Sequence, residues 1–212
     1  MTWSVLGSFA ITSLILAAAP GPDNIFVLTQ SALHGVKKGM MVIIGLCLGI
    51  ILQTLCMIVG ITAFITAVPV IMVLLKVAGA LYLCYLAYMA ITHAKTTAHI
   101  DLSAQPQQDV PNWKLVRRGF IMNITNPKVQ LFFLSFFPQF LPQGIHGWTL
   151  MGYMALLGCI FALATVLIFC LVALFSGSLA SQFKSVKFNM CLNYSAAVIF
   201  IGLALYTIST AF

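Results

Sequence analysis

The sequence predicts an all-α integral membrane bundle of six transmembrane helices, built as two inverted three-helix repeats whose first and fourth helices are broken. Three observations lead there. Of 212 residues, 62% are apolar and only 6% are charged, against roughly a quarter charged in an average soluble domain. The mean hydropathy of +1.09 leaves too little polar surface for water, so lipid must solvate most of the chain. Apolar stretches long enough to cross a bilayer recur six times, and basic residues cluster in alternate connections.

A spanning helix needs about 20 mostly apolar residues. The first span covers roughly 5–32 and carries Pro20-Gly21-Pro22-Asp23-Asn24 near its middle. A basic turn, His34 to Lys38, leads to a second span at roughly 40–66. Pro69 marks an uncharged turn before a third span at roughly 69–92. The long polar stretch from His93 to Lys114 holds Asp101, Asp109, Pro106 and Pro111 and reads as a surface loop. A fourth span at roughly 117–141 is interrupted by Asn126-Pro127. Pro142-Gln143-Gly144 turns the chain into a fifth span at roughly 148–174. A loop with Lys184 and Lys187 precedes the last span, at roughly 189–211. The chain then divides into residues 1–92, a first repeat; 93–116, a cytoplasmic loop; and 117–212, a second repeat. Three spans per half give the halves opposite orientation, as in transporters built from inverted repeats.

Charge sets the orientation. Lysine and arginine fall at 37–38, 95, 114–118 and 184–187, and the turns at Pro69 and Gly144 carry none. With both termini outside, every basic loop faces the cytoplasm of a multi-pass inner-membrane protein. A re-entrant first span would move the N-terminus inside. The net charge of +7 follows from this bias, and no basic stripe interleaved with aromatics suggests nucleic acid. No Lys or Arg precedes the first apolar run, so a cleavable signal is not expected. The cysteines (Cys47, Cys56, Cys84, Cys159, Cys170, Cys191) form no C-x-x-C and read as small apolar fillers. His34, His93, His99 and His146 fall in loops and read as solvated.

The two breaks carry the chemistry. Pro20 and Pro22 lack N–H donors, and Gly21 tolerates unusual torsions. Freed carbonyls persist in hydrocarbon only where protein or a water-filled cavity lines them. Asp23 beside them is the only acid inside a span, and an ionised aspartate there costs on the order of 3 kcal/mol. It is expected to bind a substrate ammonium or carry a coupling proton, although a structural salt bridge to a lysine would also explain it. At the second break, Asn126 suits an N-cap and Pro127 a first helical position. Free N–H groups and Lys128 there would attract a carboxylate; the bland reading is that Lys128 neutralises Asp23 or snorkels. Together the breaks suit a zwitterion, and without one the two side chains could pair.

Lys76, about two turns into the third span, is a further candidate. Asn24, Asn123, Gln30, Gln53 and Gln130 could line a polar path, or each could make a helix–helix hydrogen bond. Gly45-x-x-x-Gly49 permits close packing within the chain or between protomers of a homodimer. The run Phe132 to Phe140 faces lipid or packs in the core, and Trp3, Trp113 and Trp148 sit at span ends as interfacial anchors.

Three ordered stretches resemble the LysE/RhtB amino-acid exporter family. Pro20-Gly21-Pro22-Asp23 resembles its first-helix P-G-P-[DN] motif, and Lys76-Val77-Ala78-Gly79-Ala80-Leu81-Tyr82-Leu83 its third-helix signature. Gly119 through Asn126-Pro127-Lys128 to Phe132-Phe133 and Pro138-Gln139-Phe140 is similar to its N-P-K…F-F…P-Q-F stretch. The resemblance implies a six-helix secondary carrier, not an enzyme, with no cofactor. It would export amino acids (basic, threonine, homoserine or leucine) by proton antiport. The breaks and the polar side chains beside them, not the family motifs, put Pro20, Gly21, Pro22, Asp23, Asn24, Lys76, Asn123, Asn126, Pro127 and Lys128 at the expected site. An ion or metal-cation carrier is the alternative, but one intramembrane acid and no span histidine make a poor metal site. A thiol-redox enzyme would want a cysteine beside the prolines. No G-x-x-x-x-G-K-[ST] suggests nucleotide binding.

Overall fold

The computed structural model describes residues 3–64, 69–92, 94–95, 110–142, 144–182 and 185–209; side chains at 61–64, 69–73, 75–76, 135 and 180–181 fall outside that description. Among the described residues the regular structure is entirely helical. Asp101, Asp109, His93 and His99 lie outside it.

The first span is two helices. α1 (Trp3–Ala18) and α2 (Pro22–His34) meet at a 62° bend. α1 packs on the first half of α7 (Gly147–Leu174), where Phe9 and Leu16 share a core with Leu150, Met154 and Leu157. α2 packs on its second half, where Val27 meets Phe169 and Ala173. The two pieces thus follow one long neighbour in sequence order instead of folding back on each other. α3 (Val36–Phe64) begins straight after Gly35, whose φ of 85° suits glycine. The expected basic turn is therefore one residue long, and Lys37 and Lys38 sit in the first turn of α3. α4 (Pro69–Thr92) follows.

α5 (Asn112–Thr125) starts inside the stretch expected to be loop. Its first turns carry Lys114, Arg117 and Arg118 outward while Leu115, Gly119 and Asn123 are buried; a basic amphipathic turn scores as loop when judged by hydropathy alone. α6 (Pro127–Leu131) resumes after Asn126 and passes into a π-helical turn (Phe132–Phe136) and a 3-10 turn (Phe137–Phe140). Between α7 and α9 (Val186–Ser209), the expected loop contains the short α8 (Ser176–Gln182). By length and apolarity, three described helices can each cross a membrane (Val36–Gly60 within α3, α7 and α9), and the bent α1–α2 pair adds a fourth where its two helices count as one span.

Two contacts fix the bundle. α3 and α5 touch backbone to backbone: a Cβ on Gly45 would lie 2.0 Å from the Val116 carbonyl oxygen, and one on Gly119 would lie 2.2 Å from that of Val42. Gly49 likewise presses on Asn123. The Gly45-x-x-x-Gly49 pair thus packs helices within this chain. Elsewhere, Phe9, Phe132, Phe133, Phe136, Phe137, Phe140 and Phe161 form one buried aromatic core. Phe132 stacks on Phe161 with centroids 4.7 Å apart, and Phe9 meets Phe140 edge-on at 5.0 Å. This core takes in Ile50 and Met57 from the far half of α3, away from the basic end of the bundle, where Lys37 and Lys38 open α3 and Lys38 donates to the Val110 carbonyl and Asn112 Oδ1 at the start of α5. Trp3, Trp113 and Trp148 are all exposed, as interfacial anchors require.

Candidate functional site: the two helix breaks

The first break, Ala19-Pro20-Gly21, ends α1 and starts α2 on Pro22, a position where the missing N–H costs nothing. Its freed carbonyls are taken by side chains. Asn24 Nδ2 donates to the Ala17 oxygen at 2.9 Å, and Lys128 Nζ donates to the Ala19 oxygen at 3.0 Å. At the second break, Asn126 Oδ1 accepts from the Lys128 backbone N–H at 3.0 Å, the expected N-cap. Val129 and Gln130 donate to the Asn126 carbonyl. The first-turn amides of α6 are therefore already engaged, so the free N–H groups expected there for a carboxylate are not available.

The breaks meet. Lys128 Nζ lies 3.5 Å from Asp23 Oδ1, and both residues are buried (7% and 4% exposed). That separation makes an ion pair, longer than a hydrogen bond at 2.7–3.2 Å. Lys128 does not snorkel. Asp23 also accepts from the Asn24 N–H at 3.1 Å. Gly21 makes the meeting possible, since a Cβ there would sit 2.7 Å from Asp23 Oδ1 and 3.1 Å from Lys128 Nζ.

Two polar atoms beside the pair have no hydrogen-bond partner among the described residues: the acceptor Asn24 Oδ1 and the donor Asn126 Nδ2, both buried. Asn123 joins from α5 and accepts from Gln53 Nε2 at 3.0 Å. Gln130 donates to the Ile124 carbonyl and is exposed. Lys76 is in α4, but its side chain lies outside the described residues. Pro20, Gly21, Pro22, Asp23, Asn24, Asn123, Asn126, Pro127 and Lys128 are thus brought to one place.

Lys128 stands between two cavities. One, of about 10 Å³, is lined by Asp23, Asn123, Leu46, Phe161, Thr165 and Phe169 among others, the room of about one water molecule. The other, of about 210 Å³, lies between the break (Ala19, Pro20), α4 (Leu86, Met89, Ala90) and α9 (Asn193, Ala196, Phe200). Sequence reasoning missed Thr165, Phe161 and the α4–α9 lining. A signal did exist in Asn189 and Asn193, one helical turn apart in an apolar helix, with Asn193 Nδ2 donating to the Asn189 carbonyl at 2.9 Å.

These features define a polytopic membrane protein with a buried ion pair between two interrupted helices. Residues 14–210 match the family described as LysE type translocator, and the chain belongs to that family. A leucine efflux protein of Enterobacter sp. (strain 638) is 31% identical over 137 residues, which is 63% of this chain and 62% of that protein. A leucine efflux protein of Klebsiella pneumoniae subsp. pneumoniae is 30% identical over 138 residues, with the same coverage. An uncharacterized membrane protein of Pseudomonas aeruginosa is 30% identical over 138 residues, covering 65% of this chain and 64% of that one. The chain thus spans less than two thirds of the length of these relatives. No solved structure matches it.

Proposed function

We propose that this protein is a secondary transporter exporting neutral amino acids across the inner membrane by proton antiport. It would do so with six spans in two inverted repeats, residues 1–92 and 117–212, joined by the loop 93–116. The observation that carries the reading is the buried Asp23–Lys128 pair flanked by an unpartnered acceptor on the acid's side and an unpartnered donor on the base's side. A substrate ammonium would displace Lys128 from Asp23 and meet Asn24 Oδ1. The carboxylate would meet Lys128 Nζ and Asn126 Nδ2. A substrate ammonium and a proton cannot both occupy the Asp23 carboxylate, and that competition is the minimal requirement for antiport.

The breaks themselves support the repeat. Each half resumes its helix on a proline followed at once by the charged residue, Pro22-Asp23 and Pro127-Lys128. Packing is consistent with it: α3 lies against α5 as α7 lies against α1 and α2, and α4 pairs with α9. The basic end would be cytoplasmic.

The 210 Å³ cavity suits the substrate side chain. Among the described residues its walls are mostly apolar, and the one charge on them is the lysine that would hold the carboxylate, with no acid for a cationic side chain. The names of the leucine efflux relatives favour the same choice. The test is a panel of radiolabelled amino acids in proteoliposomes under an imposed pH gradient. Leucine and its apolar neighbours are expected to move, lysine is not, and collapse of the gradient should stop net flux. Undiminished transport by both Asp23→Asn and Lys128→Met would defeat the reading.

A further inference from the structure

The last two turns of α2 hold polar atoms that the ion pair does not use. Gln30 Oε1, Ser31 Oγ and both His34 ring nitrogens are buried without a hydrogen-bond partner among the described residues. His34, expected in a solvated loop, is instead the last residue of α2, and Ser31 is 3% exposed. Buried polar atoms cost free energy unless something satisfies them, and water is what fits a group of small donors and acceptors. Their placement is ordered. At 100° per residue, Asp23, Val27, Gln30 and His34 share one stripe of α2 with Ser31 at its edge. The stripe runs about 16 Å from the ion pair to the basic end.

One turn of that stripe is dry. Val27 is fully buried and packs with Leu46 and Phe169 in an apolar cluster. Leu46 and Phe169 also wall the 10 Å³ cavity beside Asp23. The order along α2 is therefore acid, apolar collar, polar layer, basic rim.

We infer that Gln30, Ser31 and His34 hold a short file of water through which the coupling proton leaves Asp23 for the basic side, with Val27, Leu46 and Phe169 as the collar that closes it. This rests on the proton-antiport reading above. When the collar wets, the O–H bond of the protonated Asp23 breaks and the proton passes to water. It hops along the file and enters bulk water at the rim. The carboxylate left behind pairs again with Lys128. The surroundings favour release. Lys37 is exposed at the start of α3, and Lys38 donates to the Val110 carbonyl and Asn112 Oδ1. Arg118 of α5 lies over the Phe26 ring at 4.2 Å. α7 and α8 contribute no charge. A rim of cations repels a resident proton and sends it outward.

The experiment uses the full chain in proteoliposomes with radiolabelled leucine and a pH-sensitive dye. Two fluxes are compared: one-for-one leucine exchange, which moves no net proton, and gradient-driven net transport, which must. The double variant Gln30→Leu/Ser31→Val is expected to slow net transport several-fold while exchange stays at the unaltered chain's rate. Val27→Ser, which wets the collar, is expected to raise proton leak without leucine. Equal loss of both fluxes in the double variant, or no added leak in Val27→Ser, overturns the inference. An unaltered chain that exchanges no amino acid defeats the exporter reading instead, and the unaltered control shows which has failed.

Discussion

The two breaks look alike in sequence and are built differently. The first is open backbone: Gly21 lacks a side chain to cap α2, and two carbonyls of the break and its flank are held by the distant Lys128 and by Asn24. The second is closed by its own Asn126 cap and runs at once into the aromatic core. The charges differ in the same sense. Asp23 sits in the first turn of α2, where a negative charge is favoured, while Lys128 sits in the first turn of α6, where a positive charge is not. The acid is at home without the base. The base depends on the other break for its counter-charge and its carbonyl.

The comparison is broken most sharply at the charges. Asp23→Asn strands a buried ammonium and should cost about 3–5 kcal/mol of stability, the usual loss when one member of a buried pair is removed. Lys128→Met leaves Asp23 with the Asn24 amide and a favourable helix end, and should cost clearly less. Thermal unfolding of the two variants in one detergent reads the difference, and equal losses would mean that the breaks are electrostatically equivalent. Gly21→Ala comes next. Its methyl would sit 2.7 Å from Asp23 Oδ1, so the carboxylate must shift against Lys128, and transport should fall about tenfold if that costs about 1.4 kcal/mol. A fully active Gly21→Ala would show that the breaks need not touch. Asn126→Ala is the mildest, a lost N-cap of about 1 kcal/mol, seen as a small drop in unfolding temperature with the ion pair retained.

Much of this site was legible beforehand because proline, aspartate and lysine are rare and costly inside a span. Pro22, Asp23, Asn126 and Lys128 announce themselves against an apolar background. The lining of the larger cavity does not, since Leu86, Ala90 and Ala196 are the same residues that face lipid elsewhere. His34 looks solvated in the sequence because an imidazole beside Gly35 and Lys37 suggests a turn, and only packing covers its ring nitrogens. The start of α5 was hidden by its charges, and the change from α to π winding at Phe132 has no hydropathy signature. The glycine pair at 45 and 49 signalled a close approach but not its target, which needed the third glycine, Gly119, seventy residues on.

The backbone contact at Gly45 and Gly119 has a mechanical consequence. Where two main chains rest on each other with only hydrogen atoms between them, sliding would drive a Cα over a carbonyl, so α3 and α5 behave as one welded strut. Any shape change is then expected in what packs around the strut: the bent first span and the α4–α9 pair, which meet at Lys128 around the larger cavity.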